Sequence, residues 1–112
     1  MTVKIEEADK TLTAFLSGEI DHHTAKPARE QIDYAIERSG ALVLRLDFAE
    51  VSFMDSSGVG LVMGRYRLMQ SRGGQTFVQN ATPPVMRMLK LAGLDRLPIW
   101  EKEEKKIGRA HV

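Results

Sequence analysis

The stretch Asp55-Ser56-Ser57-Gly58 places an acid, two hydroxyls and a glycine between two apolar runs. A serine there could be a nucleophile, a helix cap or a phosphate carrier. A nucleophile needs a base and an orienting acid. His22, His23 and Asp21 offer both residue types, but the stretch is not a G-x-S-x-G elbow, and 112 residues is short for a hydrolase built on one. Gly58 to Gly64 spells G-x-G-x-x-x-G, close to a dinucleotide fingerprint. That match is weak: it follows a later strand, no acid stands about 20 residues on to hold a ribose, and no P-loop lysine follows. Backbone amides could still hold a phosphate there. The pair His22-His23 suggests a metal, yet adjacent histidines rarely chelate one ion and no cluster of further ligands accompanies them. The pair reads as loop residues, one packed and one solvated. Neither a metal nor a cofactor is expected.

The third chemistry fits the residue types best. Ser56 and Ser57 are both candidate N-caps, because a serine oxygen accepts from the free amides of a first helical turn. A hydroxyl at a helix start, on the rim of a sheet, is also well placed to carry a phosphate, which the aligned amides and the dipole favour. As a plain cap, such a serine stabilises its helix by about 1 kcal/mol.

The elements around the stretch must position it. Val3-Lys4-Ile5-Glu6 alternates apolar and polar, and Thr11 to Leu16 returns as a second strand, so an antiparallel hairpin opens the chain. Gly18 closes it, and Glu19 to Thr24 reads as a polar loop. A first helix starts near Thr24, tolerates Pro27 in its opening turn and stops at Ser39-Gly40. The apolar run 41–47 is a buried strand and 48–55 a loop. A second helix covers roughly 57–71, apolar at first and with a polar face of Arg65, Arg67 and Gln70. Gln75–Gln79 is a strand, and Thr82-Pro83-Pro84 starts a third helix that Gly93-Leu94 ends. Leu97–Trp100 reads as a last, edge strand because of Pro98. The end from about 101 is mostly charge, a frayed helix or a solvated tail.

The order is an α/β one, with a mixed, mostly parallel sheet. Ligand and partner sites in such sheets lie outside the carboxyl ends of the strands, which places Asp21 beside the serine turn. At 112 residues the chain makes one domain, 1–112. Sixteen basic and fifteen acidic residues give a net charge of +1, and with few aromatics this gives no case for nucleic acid. The absence of cysteine excludes disulfides and thiol chemistry and fits a reducing compartment. No apolar run approaches a membrane span, so a cytoplasmic protein is expected, without membrane contact. The six methionines read as core filling.

The run Phe53-Met54-Asp55-Ser56-Ser57-Gly58-Val59-Gly60, on to Gly64-Arg65-Tyr66, resembles the signature of bacterial anti-sigma factor antagonists, the STAS fold. Gly18 to Thr24 before the first helix agrees, as do Pro84-Val85-Met86-Arg87 and Ala92-Gly93-Leu94. His22-His23 and the run Ser52 to Gly60 resemble the sporulation branch of the family, which serves sigma F. The resemblance implies a binding protein rather than an enzyme. Its implied partner is an ATP-bound anti-sigma factor serine kinase, which the unphosphorylated form binds so that the sigma factor is released. The same resemblance marks Ser56 as the serine that the kinase phosphorylates, and implies a PP2C-type phosphatase as the reversing enzyme. It also implies a docking surface of Asp21, Asp55, Ser56, Ser57, Gly58, Val59 and Gly60 on a monomer.

Phosphoserine adds close to two negative charges and three acceptor oxygens. A helix start tolerates them, whereas a docked interface beside Asp21 and Asp55 does not, so local exclusion is expected rather than a global rearrangement. Two other readings remain open at this point: an antagonist serving a general-stress or stressosome kinase, and a small nucleotide-binding protein using the 58–64 glycines.

Overall fold

Alternating apolar and polar residues at the start of the chain pair as the pattern requires. The structure, a computed structural model, describes residues 1–101. Strand β1 (Thr2–Ala8) pairs antiparallel with β2 (Thr11–Ile20), putting Val3 opposite Leu16 and Ile5 opposite Ala14 on one face. Helix α1 (His22–Ser39) crosses to β3 (Val43–Met54), and α2 (Ser56–Ser71) crosses to β4 (Gln75–Gln79). Both crossovers make parallel neighbours, so the four strands lie in sequence order. Helix α3 (Pro83–Leu91) and a 3-10 turn, Leu94–Arg96, complete the described chain. The mixed sheet with its opening hairpin is the architecture expected.

One core holds these elements together. Leu12, Ala14, Leu16, Leu44, Leu46 and Val78 of the strands meet Ile32 and Ile36 of α1, Leu61, Val62 and Met69 of α2, and Val85 and Leu89 of α3. Fully burying one such side chain is worth roughly 1.5–3 kcal/mol. The helices are thus fixed by packing more than by propensity, which suits a glycine-bearing helix such as α2.

Four local expectations are corrected. The stretch 48–55 is not a loop, since β3 runs on to Met54. Asp47 pairs with Phe15 but Glu50 pairs with Ser17, and Val51 pairs with Gly18 but Phe53 with Glu19. Each step inserts one extra residue into β3, a bulge that stretches the buried spacing to Leu44, Leu46, Phe48, Val51, Met54. Strand β2 likewise continues past Gly18 to Ile20, and α1 begins at His22 rather than Thr24. Arg65 does not lie on a polar face but is buried, 6% exposed. Leu97–Trp100 is not a strand: after the 3-10 turn Ile99 enters the core, and its carbonyl accepts from the Val78 amide at 2.8 Å. Pro98 lacks the amide a ladder requires. The charged tail from 102 lies outside the described residues.

Candidate phosphorylation and docking site

Two adjacent parallel strands end side by side on one rim of the sheet. Ile20 pairs with Met54, and the Asp55 amide donates to the Ile20 carbonyl at 3.0 Å. Each strand ends in a buried apolar residue, continues into an aspartate, and turns into a helix. Asp21 and Asp55 are the two N-caps, about one strand spacing apart, roughly 4.8 Å. The sequence places Asp21 beside the serine turn, and the strand register does the same.

Asp21 caps α1 by accepting from the amides of His23 at 2.9 Å and Thr24 at 3.0 Å. Thr24 reciprocates, its hydroxyl accepting from the Asp21 amide at 2.9 Å, which closes a capping box. The Thr24 amide, chiefly, holds the Asp21 carboxyl below its usual value of 3.8; partial burial opposes this and the His23 amide adds to it.

At the second helix the cap is Asp55 and neither serine. Its carboxylate accepts from the Ser57 amide at 2.7 Å. Ser56 is therefore the first helical residue, exposed, and its hydroxyl bonds to no described residue. Aspartate accepts as well as serine and sits one place earlier, so the hydroxyl is left available. Phe53, 49% exposed, stands just before the cap as an apolar neighbour on the same rim.

The remaining site residues divide by facing. Gly58 is buried, and a Cβ there would lie 2.2 Å from Cγ of Met54, so its bareness serves the close seat of α2 on β3. Val59 packs partly into the core. Gly60 is exposed, with open space where a Cβ would stand. Because 56–71 is all helix, the amides beyond the first turn are spent within it, and the 58–64 glycines form no phosphate-cradling loop. His22 and His23 are both exposed, their ring centroids 3.9 Å apart, and neither bonds to Ser56 or Ser57 among the described residues. The expectation that one of them packs inward is corrected.

Two features were not visible in sequence reading. Lys26 and Arg29 of α1 line a groove with Ser57 and Gly60 of α2. The signal was the spacing of His22, Lys26 and Arg29, which shares one helix face. Deeper along the same helix pair, Arg65 Nε lies 2.7 Å from Asp33 Oδ1, off the N–H axis, while its Nη1 donates to the Leu61 carbonyl at 3.3 Å. Burial lowers the Arg65 pKa, Asp33 opposes that shift, and Arg29 nearby adds to it. The pair ties α2 to α1 behind the serine turn.

The mixed sheet with its opening hairpin and helices is the architecture of a known domain family. Residues 2–107 match the STAS domain family, and the chain belongs to it, among the anti-sigma factor antagonists. It is 39% identical over 104 residues to the anti-sigma F factor antagonist of Paenibacillus polymyxa, covering 92% of this chain and 89% of the relative. It is 30% identical over 95 residues to the anti-sigma-B factor antagonist of Listeria monocytogenes, covering 84% and 82%. Among solved structures, unphosphorylated SpoIIAA, an anti-sigma factor antagonist, is 34% identical with a TM-score of 0.78, over 98% of this chain and 96% of that one. The phosphorylated form of the Bacillus cell fate determinant SpoIIAA is 34% identical with a TM-score of 0.71, over 97% and 99%.

Proposed function

We propose that the unphosphorylated chain binds an anti-sigma factor serine kinase and so frees the sigma factor, and that phosphorylation of Ser56 by that kinase ends the binding. The observation that carries this is the exposed Ser56 hydroxyl, first in α2 and relieved of capping by Asp55. A phosphate there meets the free amides and positive end of the helix, so the fold tolerates it. A partner seated on the rim would instead meet that added charge close to the carboxylates of Asp21 and Asp55. That a SpoIIAA relative exists in a phosphorylated form of like fold supports this reading.

The higher identity to a sigma F antagonist favours the sporulation system, while the 30% relative keeps a sigma B-type, general-stress kinase as the second reading. A PP2C-type phosphatase would return the chain to its active state in the cytoplasm, with the antagonist acting as a monomeric binding protein and not as an enzyme. The test is incubation with the Paenibacillus polymyxa anti-sigma F factor and ATP, followed by intact mass and fragment mapping. One phosphate on Ser56 is expected, with Ser56→Ala binding the kinase but staying unmodified. Phosphate on Ser57, or none at all, would overturn the assignment. Saturable binding of ATP or GTP by the chain alone would favour a nucleotide-binding protein instead.

A further inference from the structure

Between α1 and α2 runs a groove of about 280 Å³, opening beside the serine turn. Its apolar lining is Ala25 and Leu61; its charged lining is Lys26 and Arg29, with His22 at the mouth. No carboxylate lines it. Lys26 and Arg29 form no ion pair or hydrogen bond with any described residue, and they are the lysine and arginine that line this groove. Two uncompensated cations, one helical turn apart, thus look into one cavity. They are separated by about 4.5 Å along the helix axis, within reach of a single carboxylate or of two on adjacent turns.

The opposite wall is bare. Gly60 lines the groove and Gly64 follows one turn on; a Cβ at either would meet nothing within 4 Å. Inside a helix a glycine is less stable than an alanine, and no internal contact offsets that here. The missing side chains leave room for backbone approaching from outside.

From these observations we propose that the groove seats an acidic segment of the docking partner, a Glu or Asp held by Lys26 and Arg29 while an apolar neighbour rests on Ala25. This rests on the reading that a protein docks over Ser56, and it deepens it. Ser57 belongs to both the turn and the groove, so a partner covering Ser56 reaches the cations as well. The serine then decides whether docking happens, and the cations decide which partner docks.

The test measures binding of the full chain to the Paenibacillus polymyxa anti-sigma F factor, together with the kinetics of Ser56 phosphorylation. Charge reversal with Lys26→Glu and Arg29→Glu should weaken binding about tenfold or more at about 0.1 M salt, with the gap narrowing as salt is raised. KM for phosphorylation should rise with kcat unchanged, because neither cation touches the reacting hydroxyl. Lys26→Glu alone, which is clear of Arg65, should weaken binding in the same direction. Thermal melting of Lys26→Glu should not move, since that side chain is exposed and unpaired. An unchanged Kd and KM would overturn the proposal. Equal weakening by Arg87→Glu, on the separate helix α3, would overturn it too by making the effect one of net charge. So would saturable ATP binding that the double variant loses, which would make the groove a small-anion site. If the wild-type chain itself fails to bind, the function reading falls first and this proposal with it.

Discussion

Asp21 and Asp55 cap neighbouring helices, and the Asp21 carboxylate, held by two amides inside a closed box with Thr24, has a depressed pKa. A carboxyl whose folded pKa lies below its unfolded value stabilises the fold fully above that unfolded value. Here the benefit is complete above 3.8 and is lost as pH falls through the lowered folded value. The Asp21 carboxyl should therefore titrate below 3.8 by NMR. Asp21→Asn should flatten the acid limb of the stability curve as pH falls below about 4. A midpoint at or above 3.8 would mean that the capping box does not persist in solution.

Between α1 and α2 the joint is the Asp33–Arg65 pair. Arg65 is buried while Asp33 keeps about a third of its side chain in water, so the pair is neither a surface bridge nor a fully dry one. Removing the acid alone leaves a guanidinium among Leu61 and its neighbours with one carbonyl contact. Asp33→Ala should destabilise by about 2 kcal/mol in urea denaturation, below the range for fully buried pairs because the acid is partly solvated. Adding Arg65→Met should recover most of that loss, a strongly non-additive pair. A single variant within about 0.5 kcal/mol of wild type would show that Arg65 relaxes to water instead. Sequence periodicity gave no hint of this joint, since an arginine in an amphipathic helix reads as surface and its acid stands 32 positions away on another helix. The hairpin, the three helices and the short β4 were legible, because each is written in spacing that one element can reveal. What stayed hidden depends on two elements at once. The bulges of β3 show only against β2, and the cap at Asp55 shows only once β3 is known to run to Met54. Ile99 filled a pattern that looked like a strand, but it is buried by a turn.

At the scale of the whole molecule, the proposed switch would need a site that changes its partner without changing itself. The rim is built for that: the strands under Ser56 are paired through Met54 and Ile20, and α2 is anchored by core residues from Leu61 onward, so a phosphate on Ser56 would sit on a fixed frame. A phosphate on Ser56 gains about 0.3–1 kcal/mol from the helix start, and repulsion from Asp55 and Asp21 offsets a similar amount. The phosphorylated chain should thus unfold within about 1 kcal/mol of the bare one, a shift of at most several degrees in Tm for a domain of this size. Binding to the kinase should meanwhile fall by more than tenfold, because the same charge must be desolvated at a closed interface. Measuring both quantities on one phosphorylated sample separates two mechanisms. Stability held with binding lost means exclusion at the surface, whereas stability lost along with binding would mean that the phosphate melts the start of α2 and that the switch is an unfolding one.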